Sequence, residues 1–245
     1  MNKTLIYAHR GANREAAENT RSAFDKAFAY PIDGIETDVQ LSRDEVAVLW
    51  HDRDLKKLGL PGQHIDDYDY LQLRGMDFAG HFAGAQKEGV MTLQEFVAAY
   101  RSRCQLLLEI KNRDWEQLAR HELKVRLTLA QAGAVDGRVL ISSFNLDSLV
   151  YAHSVAPDFP LVLNLEPEHT VNDARRFLEE QPFLHGLCVH ISTLDGHMME
   201  LVRGRGKCIA VYTCDTDAEI LRALHLGVDI LISDVPDKAL QMRGR

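Results

Sequence analysis

Long apolar runs are missing from this chain. None approaches the ~18 residues that span a bilayer. The N-terminal apolar run, Leu5 to Ala8, is far shorter than the core of a secretory signal, so a cytoplasmic location is expected. Positive charge is also in deficit: 28 Lys and Arg stand against 36 Asp and Glu, a formal net charge of −8. That balance argues against a general nucleic-acid binder, which needs basic surface to neutralise phosphates. It leaves room for one small phosphate in a locally positive pocket. Cysteine is limited to Cys104, Cys188, Cys208 and Cys214, with no CxxC spacing. Neither a zinc site nor a disulfide framework follows, as suits a reducing compartment. There is no internal repeat and no low-complexity segment.

What is present is an ordinary globular composition, 46% hydrophobic and 26% charged. A length of 245 residues supports one sizeable core and is short for two α/β domains, so a single domain over 1–245 is expected. Short apolar runs alternate with helical patterns. Strands are expected at Leu5–His9, Gly34–Gln40, Val46–His51, Gln105–Lys111, Val139–Ser143, Leu161–Leu165, Gly186–His190, Lys207–Thr213 and Ile230–Ser233. Helices are expected near Thr20–Ala29, Leu93–Ser102, Trp115–Ala132, Leu146–Ala156, Val171–Glu180, Leu194–Arg203 and Thr216–Leu226. Alternation of this kind implies a parallel sheet, and strands apolar nearly throughout imply that both faces are covered. About eight β/α units in this length fit a TIM-like (β/α)8 barrel. So does the gathering of polar residues at the ends of many different strands, which a barrel brings to one mouth. Two features break the rhythm. Gly34–Gln40 runs into Val46–His51 with no helix between, a hairpin-like irregularity. Residues 52–89 are poor in apolar runs and read as a loop excursion over the mouth. Phe78 and Phe82 in that excursion suit either a lid or an anchor.

Strand residues two apart share a face, so Glu36 and Asp38 point one way, as do Glu109 and Lys111. Three carboxylates meeting at one mouth would repel unless something positive sits among them. One hard divalent cation, Mg²⁺ or Ca²⁺, is the natural solution. His9 and His51 each end an apolar run, and imidazole can take or give a proton near neutral pH. Phosphodiester hydrolysis needs both transfers, and Arg10 and Lys111 are placed to contact the phosphate. His190 also ends a strand and is read as peripheral.

These residues carry a resemblance. His9-Arg10-Gly11 followed by Glu18-Asn19-Thr20, then Gly34-Ile35-Glu36-Thr37-Asp38-Val39, His51-Asp52, Leu108-Glu109-Ile110-Lys111, Ser143-Phe144-Asn145 and Asp234-Val235-Pro236 form an ordered series over nearly the whole chain. The series resembles the glycerophosphodiester phosphodiesterases of cytoplasmic bacterial type. The resemblance implies a TIM-like barrel that releases an alcohol and glycerol 3-phosphate. It implies Glu36, Asp38 and Glu109 as metal ligands and His9 and His51 as the acid–base pair. Arg10 and Lys111 would be phosphate contacts, and Asn19 would help order the site. Phe144 suits the carbon skeleton of a glycerol group. The family's late strand commonly ends in Trp-Thr, where this chain has Tyr212-Thr213.

The expected partner is thus a small glycerophosphodiester, with no nucleic acid and no stable membrane association. The oligomeric state is not legible. Two alternatives are a phosphodiesterase acting on lysolipids or another diester, and a catalytically silent barrel that binds phosphorylated ligands. A silent barrel would be expected to have lost a carboxylate or a histidine, and this chain keeps all five.

Overall fold

Nine strands form one sheet in the computed structural model of the chain, which describes residues 3–244. They are β1 (Leu5–His9), β2 (Gly34–Leu41), β3 (Ala47–Leu49), β4 (Gln105–Ile110), β5 (Val139–Ser143), β6 (Leu161–Asn164), β7 (Gly186–His190), β8 (Cys208–Tyr212) and β9 (Ile230–Ser233). The order is β1-β9-β8-β7-β6-β5-β4-β2-β3, and β1 also pairs with β2, so the sheet closes on itself. All the pairings are parallel except that of β2 with β3. The closed ring is therefore eight parallel strands, a TIM-like barrel, with β3 as an antiparallel appendage. Its outer helices are α1 (Arg21–Ala27), α3 (Leu93–Tyr100), α4 (Leu118–Ala132), α5 (Leu146–Val155), α6 (Val171–Glu180), α7 (Gly196–Gly204), α8 (Asp217–Leu226) and α9 (Pro236–Arg243), while α2 (Tyr70–Gly75) lies in the excursion.

Local chemistry sets the helix starts. Thr92, Thr170 and Thr216 each accept from the backbone N–H three residues on, and Glu95, Asp173 and Glu219 return the bond, forming capping boxes. Pro236 opens α9, where its missing N–H costs nothing. That helix was not among the expected ones, because its sequence has only a weak apolar stripe.

Strand alternation divides the core in two. Ile6, Ala8, Ile35, Leu106, Leu108, Ile141, Leu163 and Val211 face outward and join the helices in the main cluster. Tyr7, Leu107, Leu140, Val162, Cys188, Ala210, Ile230 and Ile232 fill the barrel interior. Burial on both sides is why the strands read as apolar throughout. Tyr7 lies across the interior floor, and a Cβ on Gly34 would meet its ring at 2.5 Å. Continuing the inward parity toward the strand ends gives His9, Glu36, Asp38 and Glu109.

The expected strand Val46–His51 is shorter, Ala47–Leu49, and runs back along β2. Strand β2 overruns the barrel rim, and β3 descends again, so that Trp50 N–H bonds the Asp38 carbonyl (3.1 Å) and His51 arrives at mouth level. The excursion has a small core of its own: Val48, Trp50, Leu55, Ile65, Leu73, Phe78 and Val90. Phe78 is buried edge-on against Trp50, with centroids 5.2 Å apart, so it anchors the loop; Phe82 is half-buried. Among the described residues, no helix is long and apolar enough to cross a membrane.

Candidate active site

Register brings the acids together. His9 on β1 stands opposite Glu36 on β2, and Asp38 opposite Glu109 on β4. Glu36, Asp38 and Glu109 are all buried, and each offers an oxygen within 4.8 Å of the others'. Two cations already sit among them. Lys111 Nζ lies 2.6 Å from Glu109 and 3.2 Å from Asp38, and Arg10 Nε lies 3.1 Å from the second Asp38 oxygen. Burial alone would push the Asp38 carboxyl up, but Lys111 and Arg10 outweigh it and hold the group well below the usual carboxylate range. Glu36 goes the other way: burial and the neighbouring Asp38 push it well up. Its Oε2 is buried with no hydrogen-bond partner, and the His9 ring is 3.7 Å away. Burial opposes charge on Lys111 and Arg10 too, yet their acidic neighbours win and raise both.

Three hard oxygen donors, one of them buried without a donor of its own, fit a divalent cation. Asn19 holds the set in place. It adopts φ +57°, donates to Asp38 (2.9 Å) and accepts from the Thr37 hydroxyl (2.7 Å). A second acidic group, Glu18, His51 and Asp52, also comes within ligand distance. There Lys57 bridges Glu18 (2.7 Å) and Asp52 (3.0 Å), and Arg10 pairs with Glu18 (3.0 Å), so its charge is already met.

Each histidine has a carboxylate behind it. His9 Nδ1 is 2.6 Å from Asp234, which also accepts from Asn13 (2.6 Å) and pairs with Arg14 (2.9 Å). His51 Nδ1 is 2.9 Å from Asp52. In both rings this leaves Nε2 free of the carboxylate. Burial raises the Asp234 and Asp52 carboxyls, but the histidine bonds, with further hydrogen bonds from Asn13 and Lys57, bring both down to about 2. The main chain under His51 is clamped. Arg113 donates to the carbonyls of His51 (2.8 Å) and Asp52 (3.0 Å), and Gln40 donates to those of Trp50 (2.7 Å) and Asp52 (3.0 Å).

A cavity of about 160 Å³ opens between these groups, lined by His9, Arg10, Glu36, His51, Glu109 and Phe144, with Tyr212 and Asn164 deeper in the wall. Phe144 meets Tyr212 edge-on, with centroids 5.7 Å apart, and the Tyr212 hydroxyl is fixed by donating to the Leu165 carbonyl (2.6 Å). Lys111 lines an adjoining groove on the far side of His51. His190 bonds Ser192 (2.6 Å) and is not among the cavity-lining residues.

Of the catalytic, metal and phosphate residues expected from the sequence, His9, Arg10, Glu36, His51, Glu109 and Phe144 line the cavity, Asp38 and Lys111 sit against Glu109, and Asn19 lies behind Asp38. Three groups were missed as site residues. Asp52 and Asp234 were read as parts of motifs and not as partners of the histidines; for Asp52 the adjacent strand-end His51 was a usable signal, whereas Asp234 is 225 residues from His9. Asn164 closes β6 with a buried Oδ1 that has no partner; one asparagine in an apolar strand gave no warning.

The glycerophosphoryl diester phosphodiesterase family pattern matches residues 9–238, the span that holds all of these groups. A glycerophosphodiester phosphodiesterase from Bacillus altitudinis is 29% identical over 249 residues, covering 98% of each chain. An uncharacterized Mycoplasma genitalium protein is 35% identical over 150 residues, 60% of this chain and 62% of its own length. Among solved structures, an Oleispira antarctica phosphodiesterase in complex with the product sn-glycerol-3-phosphate superposes with a TM-score of 0.84 at 26% identity, covering 98% of this chain and 97% of that one. With the closed barrel and the ordered motifs, the match over nearly the whole length means that this chain belongs to the glycerophosphoryl diester phosphodiesterase family.

Proposed function

We propose that this chain hydrolyses glycerophosphodiesters to glycerol 3-phosphate and a free alcohol, using one divalent cation, Mg²⁺ or Ca²⁺, and the histidines His9 and His51. The observation that carries this reading is the pairing of two carboxylate-backed histidines around a buried three-carboxylate cluster. The product held by the Oleispira relative agrees with it.

Glu36, Asp38 and Glu109 would hold the cation, whose charge near a phosphoryl oxygen makes phosphorus more electrophilic. Arg10 at the cavity and Lys111 at the groove flank the place of the phosphate and offset its charge. One histidine Nε2 takes the proton of the attacking oxygen. The other gives its Nε2 proton to the alcohol oxygen as the P–O bond breaks. At each ring the carboxylate fixes the tautomer through Nδ1–H and stabilises the imidazolium. Phe144 and Tyr212 form an apolar wall that suits glycerol carbons, and Asn19 acts through Asp38 to order the cluster.

The test is release of glycerol 3-phosphate from soluble glycerophosphodiesters, assayed enzymatically with and without chelator. No release from any diester in the presence of Mg²⁺ or Ca²⁺ would reject the reading.

The carboxylates give a separate prediction. Asp52→Asn and Asp234→Asn should each lower kcat by about 10²-fold or more, up to the ~10⁴-fold lost when an acid that fixes a catalytic histidine's tautomer becomes an amide. Folding lowers these two carboxyls to about 2, below the usual ~3.9 of a free Asp. Their contribution to stability is therefore complete above about pH 4 and is lost as pH falls through about 2. Urea unfolding of each variant against the parent, at pH 7 and near pH 2.5, reads this. A stability difference between variant and parent that is larger at pH 2.5 than at pH 7 contradicts it.

A further inference from the structure

A phosphodiester has two arms, and the mouth offers them different surroundings. The cavity already described is small and walled by Phe144 and Tyr212, so it suits the glycerol arm. His51 lines a second recess on its other side, and apart from that ring every side chain around it is charged. Five cations, Arg53, Lys56, Lys57, Lys111 and Arg113, line it with two acids, Asp52 and Asp54; Lys57 is also held by Glu18, and Lys111 by Glu109 and Asp38, so the excess positive charge is that of Arg53, Lys56 and Arg113. In a chain with a net charge of −8, this is a local reversal of sign.

The two acids are already committed. Asp52 accepts from His51 and Lys57, and Asp54 accepts the backbone N–H groups of Lys56 (3.1 Å) and Gly62 (3.2 Å). Arg53 and Lys56 are exposed at the rim, and the acid partner of Arg53, Asp114, is itself 79% exposed and so holds it weakly. Where the recess opens toward Phe144, Glu166 adds one exposed carboxylate.

We infer that this recess is the head-group subsite, and that it selects alcohols carrying a negative charge, such as phosphorylated polyols, over quaternary-ammonium alcohols. A quaternary ammonium is recognised by an aromatic cage with a free carboxylate; the recess itself has no aromatic lining, and Phe144 and the Glu166 carboxylate stand only at its opening. An acyl tail would find no hydrophobic residue in it, only the carbon stems of Lys and Arg side chains. The inference rests on the hydrolytic reading given above and adds the substrate class.

The test compares kcat/KM for three diesters that share the glycerophosphoryl arm: glycerophosphocholine, glycerophosphoinositol and glycerophosphoinositol 4-phosphate, with the Mg²⁺- or Ca²⁺-loaded full chain. The last two differ in one phosphate, which isolates charge from shape. The phosphorylated head group is expected to be favoured about tenfold over the plain inositol, with choline lowest. The preference should shrink at 0.5 M salt, because the rim is exposed. In Arg53→Ala and Lys56→Ala the ratio of phosphorylated to plain inositol diester should fall toward one. Equal rates on the two inositol diesters, choline as the best substrate, or a ratio unmoved in both variants would each overturn the inference while leaving hydrolysis intact. Absence of glycerol 3-phosphate from all three diesters overturns this inference, and absence from every other glycerophosphodiester as well overturns the hydrolytic reading.

Discussion

Thorough removal of divalent cations should lower hydrolysis of glycerophosphodiesters by at least about 10³-fold, with recovery on adding Mg²⁺ or Ca²⁺. The size follows from the several kcal/mol that a Lewis-acid cation supplies to a phosphoryl transition state. The physical ground is the carboxylate cluster. Glu36, Asp38 and Glu109 carry three potential negative charges, and Arg10 and Lys111 reach only Asp38 and Glu109. Glu36 is left with a buried oxygen that lacks a donor, and burial resists its ionisation. A bound cation would remove that penalty. Because it binds the folded chain and not the unfolded one, it should also raise stability, by about 2.7 kcal/mol at 100 times its Kd. Two readouts are therefore available. Mg²⁺ or Ca²⁺ should raise the Tm of the stripped chain, and the rise should be lost in Glu36→Gln and Glu109→Gln. Undiminished turnover in the fully stripped chain, or a Tm that ignores both cations, contradicts the assignment.

His9→Ala and His51→Ala should each lose 10²- to 10⁴-fold in kcat, or about 3 to 5.5 kcal/mol of transition-state stabilisation. Both should keep the fold and the cation-dependent rise in Tm, since neither ring is one of the three cluster carboxylates. His190→Ala is the contrasting variant. Its ring bonds Ser192 and rests edge-on to Tyr212 at 5.3 Å, and it does not line the cavity. A much smaller change in rate is expected there. The leaving group separates the two roles. From a nitrophenyl diester the nitrophenolate leaves as a stable anion as the P–O bond breaks and needs little protonation, so this substrate should partly rescue the variant that lacks the acid and leave the other impaired. Near-parental turnover of either histidine variant on a diester with a poor leaving group would refute the pair. Equal rescue of both variants would refute the division of labour while keeping the residues.

Much of this was open to a reader of the chain alone, because the signals were local. Strand residues two apart share a face whatever the fold, so Glu36 and Asp38 had to project together from an otherwise apolar run. The helical patterns at Leu93–Ser102, Val171–Glu180 and Thr216–Leu226 were local in the same way, and the fold starts α3, α6 and α8 there with a bond between a Thr and an acid three residues on. The motif order then tied these local pieces to one family.

The tertiary structure decided what depends on distant parts of the chain meeting. His9 finds its carboxylate in Asp234, 225 residues away, only because β9 closes the barrel beside β1. His51 reaches the mouth because β2 overruns the rim and β3 turns back. The excursion's core is assembled from scattered residues, Trp50, Leu73 and Phe78 among them, with no period to betray it. Lys111 and Arg10 read from sequence as phosphate contacts, and folding also sets both against the buried acids. The periodicity of a strand fixes which way a side chain points, whereas its partner is fixed by the closure and register of the sheet. Those are settled by the packing of the whole barrel, so no window of sequence contains them.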